Sequence, residues 1–262
     1  MTLIRELTKL SNKIRALCDT QSLQNPNNPS IALNMISKDN ANVIKVALES
    51  CRDVVDEMII VDTGSKDHTK DIIRSYPNAK LIEEQEFKGY SYHRNQAIKA
   101  SSSDWILVID SDEYLSEHLR LRLKQLISTK SYGLFRMYSR WINKVKTSKK
   151  QASFVAPTKK YKGRYNLRNR IFRNIAGIEF RGEVHESIFG HETMRVKDLS
   201  RDYAVYHLDV AINNIEKRLD KTLKRNEIKP GTAYPEEYLP ELFNFKYLPI
   251  PEEDTKFLQY LT

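Results

Sequence analysis

The segment Trp105-Ile106-Leu107-Val108-Ile109-Asp110-Ser111-Asp112-Glu113 runs five apolar residues directly into three carboxylates within four positions. An apolar run without polar alternation suits a strand covered on both faces, as in a parallel sheet. The carboxylates that follow repel one another, and a bound cation relieves that repulsion. Hard oxygen ligands of this kind suit Mg²⁺ or Mn²⁺. Acidic residues also favour the first turn of a helix, so the run by itself leaves both readings open.

Upstream of this segment, short apolar stretches alternate with helical ones. Ile31–Ser37, Glu57–Asp62 and Ala79–Glu83 join Trp105–Asp110 as expected strands, with Asn40–Ser50, Lys66–Ser75 and Tyr90–Ala100 as expected helices between them. Such alternation implies an α/β fold with a mostly parallel, Rossmann-like sheet and helices on both faces. Sheets of this type bind ligands beyond the carboxyl ends of their strands, and two of the expected strands end in aspartate, Asp62 and Asp110. In Val61-Asp62-Thr63-Gly64-Ser65-Lys66-Asp67, Ser65 is the expected N-cap of the next helix. Asp62 is left as a candidate acceptor for a nucleobase or ribose. Neither a G-x-G-x-x-G nor a P-loop pattern occurs, which argues against dehydrogenase and ATPase readings.

Downstream, a helix is expected from about Leu115 to Ile127. The alternation in Gly133–Trp141, Arg168–Arg173, Ile178–Val184 and Tyr203–Leu208 then predicts strands in mixed or antiparallel pairing. A last helix over about Val210–Ile228 precedes a proline-containing tail. At the other end, Leu3, Ile4, Leu7, Leu10, Ile14 and Leu17 have helical spacing, and Gln21–Ser30 reads as a linker. This amphipathic N-terminal helix would dock on the main domain, pair with a second subunit in a homodimer, or lie on a membrane. The expected division is residues 1–30 as helix and linker, 31–130 and 131–229 as two halves of one domain, and 230–262 as a tail.

The 262 residues carry 43 Lys/Arg against 34 Asp/Glu, a net charge of +9. That excess lies entirely in the second half, because residues 1–130 hold 18 of each sign. No acidic residue occurs between Glu117 and Glu179, and Lys144, Lys146, Lys149, Lys150, Lys159, Lys160, Lys162 and Arg164 fall in that interval. A field of this sign attracts phosphates, anionic lipid headgroups, nucleic acid or acidic peptides; a solvated basic loop over Ile142–Gly163 is the alternative. Cys18 and Cys51 make no metal or disulfide pattern, and no apolar run approaches the ~20 residues that span a bilayer. The expected location is cytoplasmic, with a peripheral position at the inner membrane face as the extension of the basic charge.

Taken in order, several segments resemble glycosyltransferase family 2, whose members are inverting enzymes of the GT-A fold. They are Met35-Ile36-Ser37-Lys38-Asp39-Asn40, Ile60-Val61-Asp62-Thr63-Gly64-Ser65-Lys66-Asp67, Tyr92-His93-Arg94-Asn95-Gln96-Ala97 and Asp104 through Glu113. Later come Arg170-Ile171-Phe172-Arg173-Asn174, Phe180-Arg181-Gly182-Glu183-Val184-His185-Glu186 and Val205-Tyr206-His207. The likeness covers about residues 31–226 and is nearest to lipopolysaccharide-core glucosyltransferases and to enzymes that glycosylate cysteine or serine of bacteriocin peptides. Lys38-Asp39-Asn40 departs from the Lys-Asn-Glu often found in the family.

The resemblance implies that Ser37, Asp62, Arg94, Asp110 and Ser111 line the nucleotide-sugar pocket. Asp112 would bind a Mn²⁺ or Mg²⁺ ion with His207 completing its shell. Lys221 and Arg225, one turn apart on the last helix, would neutralise the diphosphate, unless they are simply a solvated basic face. An inverting transfer also needs a base beside the acceptor; Glu186 is the choice, with His185 orienting it or lining the acceptor site. The donor implied is a UDP-sugar, UDP-glucose or a UDP-N-acetylhexosamine. The acceptor would be a saccharide, a lipid-linked saccharide or a peptide.

Three rivals carry different expectations. A nucleotidyltransferase would show a glycine-rich basic loop after the first strand, where Ser37-Lys38-Asp39-Asn40 has no glycine. A nucleic-acid binder would use the basic half but leaves the acidic strand ends unexplained. A catalytically dead family-2 fold conflicts with the intact Asp110, Asp112, Glu186 and His207.

Overall fold

The computed structural model describes residues 28–145, 152–155, 167–183, 186–213, 215–228 and 247–262. The expected helix over 2–18 and its linker as far as Asn27, and with them the dimer and membrane readings of that helix, lie outside the described residues.

β1 (Ile31–Ser37), β2 (Glu57–Asp62), β3 (Ala79–Glu83) and β4 (Trp105–Val108) form the parallel part of the sheet in the order β3-β2-β1-β4. Successive side chains of a strand point to opposite faces, and the core divides accordingly. Ile31, Leu33 and Met35 of β1, Met58 and Ile60 of β2, and Trp105 and Leu107 of β4 face one side. There they meet α1 (Ile44–Cys51) through Ile44, Ala47 and Leu48, and α2 (Thr69–Arg74) through Ile73. Ile59, Val61, Ala32, Ile106 and Val108 face the other side, against Ala97 and Ile98 of α3 (Tyr90–Ala100). The strands read as unbroken apolar runs because both faces are covered. Burying each such aliphatic side chain contributes about 1.5–3 kcal/mol.

Beyond β4 the pairing turns antiparallel, as the alternation predicted. β6 (Leu134–Val145), β7 (Ala152–Val155) and β8 (Leu167–Arg173) extend the sheet in the order β4-β8-β6-β7, each antiparallel to its neighbour. β9 (Glu179–Arg181) and β10 (Ser187–Phe189) make a separate hairpin, and β11 (Val196–Asp198) runs parallel to β6. The expected basic loop over Ile142–Gly163 is therefore partly a β-hairpin, because Ile142, Ala152 and Phe154 bury apolar side chains that draw 142–145 and 152–155 into the sheet. Residues 146–151 and 156–166 lie outside the described set.

Three local differences from the sequence expectation bear on the site. β4 stops at Val108, so Asp110 sits in the turn beyond the strand rather than at its end. Next, Glu113–Leu115 is a short strand, β5, antiparallel to β12 (Ala204–His207), and α4 (Glu117–Ile127) starts two residues later than Leu115. Ser116 caps α4 by accepting the Leu119 N–H at 3.3 Å. Finally, the expected last helix is two, α5 (Asp209–Ile212) and α6 (Ile215–Ile228).

The C-terminal residues are built into the domain. β13 (Tyr247–Pro249) pairs with β7, and α7 (Glu252–Thr255) leads into a 3₁₀ turn, Lys256–Tyr260. Ile250, Phe257 and Leu258 join Tyr114 and Tyr206 in a second core. Asp254 ties this segment down by accepting the Glu117 N–H at 2.6 Å and the Tyr206 hydroxyl at 2.6 Å. Among the described residues, no helix is long and apolar enough to cross a membrane.

Candidate active site

The antiparallel register of β5 and β12 places His207 opposite Glu113, and the Leu208 N–H donates to the Asp112 carbonyl at 2.8 Å. That pairing brings two side chains 95 residues apart in sequence into contact: His207 Nε2 lies 3.3 Å from Asp112 Oδ1, with side chains 17% and 15% exposed. Burial opposes a charged imidazole here, but the Asp112 carboxylate outweighs it and pushes His207 up to about 9. Asp112, opposed by burial in turn, is held below the usual carboxylate range by His207 and then Lys221. In the metal-free protein the pair is thus an imidazolium–carboxylate. Its stabilisation is complete below the ordinary histidine pKa of about 6.5 and lost as pH rises through about 9. NMR titration of the metal-free protein is expected to place the His207 midpoint near that raised value. A midpoint near the ordinary one would show that the two side chains do not pair.

The rest of the acidic run is divided among arginines. Glu113 is buried and paired in a fork with Arg170 of β8, whose Nη1 and Nη2 donate to Oε2 at 2.7 Å and to Oε1 at 2.6 Å. Asp110 accepts from Arg94 Nη2 at 2.7 Å, and Arg94 Nε donates to Glu186 Oε1 at 2.5 Å. One guanidinium on α3 therefore joins the turn after β4 to the loop between β9 and β10. Partial desolvation opposes ionisation of Asp110, but Arg94 and then Arg170 hold its carboxyl well below the usual range. Glu186 is likewise ionised: burial raises it, and Arg94 more than reverses that. α3 fixes this loop by further hydrogen bonds. Asn95 exchanges two with the Phe180 backbone, at 2.7 and 2.9 Å, and Ser91 donates to the Gly182 carbonyl.

Asp62 is buried at the end of β2, and its own turn satisfies it. Oδ1 accepts the Gly64 and Ser65 N–H groups at 3.1 and 2.8 Å, and Oδ2 accepts the Ser65 hydroxyl at 2.5 Å. This local role was missed in the sequence, where Asp62 read as free of one. The expectation for Ser65 is also corrected: it is not an N-cap. Helix α2 begins at Thr69, and the Ser65 hydroxyl bridges Asp62 to the Asp39 N–H at 2.8 Å. Asp39 holds a positive φ of 48° and accepts the Lys66 N–H at 2.7 Å. Asn40 donates to the Ser111 hydroxyl at 2.9 Å. The loops after β1, β2 and β4 are thereby laced into one rim. Ser37 lies beside Asp62 in the β1–β2 register; its hydroxyl is buried and finds no partner among the described residues, as does Arg94 Nη1.

Lys221 turns inward from α6, its ammonium 2.5 Å from the buried Asp209 carboxylate. Arg225 lies on the same helix, but its side chain is outside the described residues, and so is all of His185. Among the described residues no three His, Cys, Asp or Glu side chains group to hold a metal unaided. Asp112 and His207 nonetheless fit one cation between them. Their facing atoms, 3.3 Å apart, approximate neighbouring positions of an octahedral shell with bonds of about 2.1 Å, the rest of which phosphate oxygens and water commonly supply.

The glycosyl transferase family 2 model matches residues 34–189 of this chain. The glycosyltransferase SunS of Bacillus phage SPbeta is 25% identical over 204 residues, 76% of this chain and 44% of that protein. A TPR repeat-containing protein of Synechococcus elongatus is 34% identical over 158 residues, 60% of this chain and 35% of that one. The chain thus spans between about a third and about half the length of these curated relatives. Among solved structures, residues 1–349 of S. aureus TarS in complex with UDP-GlcNAc superpose with a TM-score of 0.52 at 18% identity, covering 82% of this chain and 72% of that one. A mannosyltransferase of Pyrobaculum calidifontis in complex with GDP-Man and Mn²⁺ gives 0.51 at 15% identity, covering 86% and 74%. These likenesses are to the GT-A fold.

Proposed function

The chain belongs to glycosyl transferase family 2, and on that premise we propose that it is a metal-dependent, inverting glycosyltransferase using a nucleoside-diphosphate sugar, with UDP as the nucleotide. The observation that carries the reading is the Asp112–His207 pair on the same turn as Asp110, which shares one arginine with Glu186. The UDP-GlcNAc of TarS supports uridine, and the GDP-Man of the archaeal neighbour makes guanosine the alternative. Residues 31–130 hold the nucleotide sugar in this reading, and residues 131–229 carry the acceptor side.

Asp112 and His207 are assigned as the protein ligands of Mn²⁺ or Mg²⁺. When bound, such an ion neutralises the diphosphate that departs with the nucleotide. Because metal ligation needs a neutral imidazole, His207 would hold the ion in its deprotonated form. Lys221, steered by Asp209, adds a second positive charge on the leaving-group side. The rim of Ser37, Asp62 and Ser111 receives the nucleoside, with the Ser37 hydroxyl, which has no partner among the described residues, as a donor to it. Asp110 faces the ribose.

Glu186 takes the acceptor proton while the acceptor oxygen or sulfur attacks the anomeric carbon opposite the diphosphate, so the configuration inverts. Arg94 holds Oε1 and keeps the carboxylate ionised, and Oε2 is assigned to the acceptor. His185 is assigned to the acceptor side of the same loop. Saccharide, lipid-linked saccharide and peptide acceptors all present such a nucleophile; SunS supports a peptide as the first to try.

Glu186→Gln keeps the shape and the Arg94 contact through its carbonyl but cannot accept a proton. Transfer is expected to fall by roughly 10²–10⁴-fold, the usual worth of a general base, with nucleotide affinity unchanged. Parallel loss of affinity and rate would instead make Glu186 part of the donor pocket.

A further inference from the structure

The Glu113–Arg170 pair adjoins the acidic turn, and its contacts reach the turn's own backbone, the end of β4 and β6. Glu113 Oε2 accepts the Asp110 N–H at 2.8 Å as well as Arg170 Nη1. Arg170 Nη1 also donates to the Val108 carbonyl at 3.2 Å, at the last residue of β4, and Nη2 reaches the Ser139 hydroxyl of β6 at 3.3 Å. The backbone of Glu113 is opposite His207 in the β5–β12 ladder. Both side chains are nearly inaccessible, 9% exposed for Arg170 and 3% for Glu113. An isolated buried pair of this kind contributes little net stability compared with apolar residues of the same volume. Holding an adjacent backbone in one geometry is a use that such a pair serves better than an apolar contact, because its hydrogen bonds are directional and its fork is planar.

We propose that Arg170 and Glu113 are positioning residues for the nucleotide-sugar site: the buried fork fixes the Asp110–Asp112 turn and so sets where the two aspartates and His207 stand relative to one another. Arg170 is buried behind the turn and paired with Glu113. It grips the strand end on one side and, through Glu113, the first amide of the turn on the other. Arg170→Lys keeps the positive charge but cannot make the fork; Glu113→Gln keeps an acceptor for the Asp110 N–H but loses the charge. The two substitutions separate geometry from charge, and both are small enough in shape to preserve the fold.

The test has two arms, the second of which rests on the function proposed above. In the first, hydrogen exchange is followed by mass spectrometry on the metal-free full chain. Peptides spanning residues 108–114 are expected to lose protection at least tenfold in Arg170→Lys, while β1 and β2 keep theirs. Unchanged protection at 108–114, or equal loss across β1 and β2, would overturn the proposal. In the second arm, UDP binding is measured calorimetrically with and without Mn²⁺. The expected effect in Arg170→Lys is a 10- to 100-fold loss confined to the Mn²⁺-dependent affinity, the range found when partners of metal ligands are altered, with a smaller loss in Glu113→Gln. Wild-type affinity in both variants would overturn the proposal. Failure of the wild-type protein itself to bind nucleotide would sink the functional reading instead, and the exchange arm would still decide the positioning role.

Discussion

Asp112→Ala is expected to lower sugar transfer by roughly 10³-fold or more, because the charge stabilisation supplied by a catalytic metal amounts to several kcal/mol. The substitution removes one of the two protein ligands proposed for the metal, and no third acidic or histidine side chain groups with them among the described residues. It also leaves His207 without the carboxylate that contributes most to raising its pKa. The fold should survive, since Asp112 makes its backbone contact to Leu208 through its carbonyl. Asp110→Ala offers the contrast: it breaks one arm of the Arg94 bridge while sparing Asp112 and His207. Assays of both variants across Mn²⁺ concentration separate the two roles. Excess metal should not rescue Asp112→Ala, and a variant that keeps wild-type metal dependence would remove Asp112 from the metal site.

Arg94→Gln is expected to destabilise the protein measurably. It strands Glu186 and Asp110, two ionised carboxylates that the same guanidinium holds. Removing one partner of a buried ion pair costs about 3–5 kcal/mol. The low end applies here, because the Asp110 side chain is 42% exposed and water screens it. A loss of about 3 kcal/mol corresponds to a Tm lower by roughly 6–12 °C in a chain of this size. The sign of the pH dependence follows from Glu186, whose folded pKa Arg94 depresses. The stabilisation is fully present above the ordinary glutamate pKa of about 4.3 and is lost as pH falls through the depressed value. The gap in Tm between wild type and variant should therefore be widest near neutrality and close in acid. In the same variant the acid limb of the activity profile should move to higher pH, as Glu186 regains an ordinary proton affinity. A Tm gap that does not vary with pH would mean that the contact of the guanidinium with the Phe180 ring, and not its pairing with Glu186, is what was lost.

The parallel half of the sheet was legible in sequence because its strands bury both faces and so lack polar interruptions. β1, β2 and β3 begin and end at the expected residues, and α3 coincides with its expected range. What escaped depends on partners distant in the chain. β5 is three residues long and exists because β12, some ninety positions later, pairs with it. β7 and β13 hold each other on the edge of β6, and neither has a pattern that marks it alone. The C-terminal segment read as a tail because Tyr206, the hydroxyl that Asp254 accepts, lies far upstream.

The site was legible in its residue types more than in its wiring. Asp110, Asp112, Glu186 and His207 were named from the acidic run and the family likeness; the structure pairs Asp112 with His207 and joins Asp110 to Glu186 through Arg94. Two assignments of local geometry failed for a common reason. Asp62 and Ser65 sit in an aspartate-x-glycine-serine turn, whose signature is a side chain hydrogen-bonded to its own following backbone; that signal was present and was read instead as a helix cap. Arg170 was quoted within a motif but given no role. A buried arginine next to Ile171 and Phe172 points to a buried acidic partner, yet only the folded structure identifies that partner as Glu113. Arg94 carried the opposite lesson: placed along the nucleotide pocket, it proves also to hold Glu186, a connection between α3 and a loop some ninety residues later.

The central claim is a metal-dependent nucleotide-sugar site at Asp112, and the most direct test is calorimetric titration of the wild-type protein with UDP, GDP and ADP, each with and without Mn²⁺. UDP is expected to bind, with an affinity that rises at least tenfold with the ion. Folded protein that binds none of the three, or that binds UDP equally well without metal, would contradict that claim.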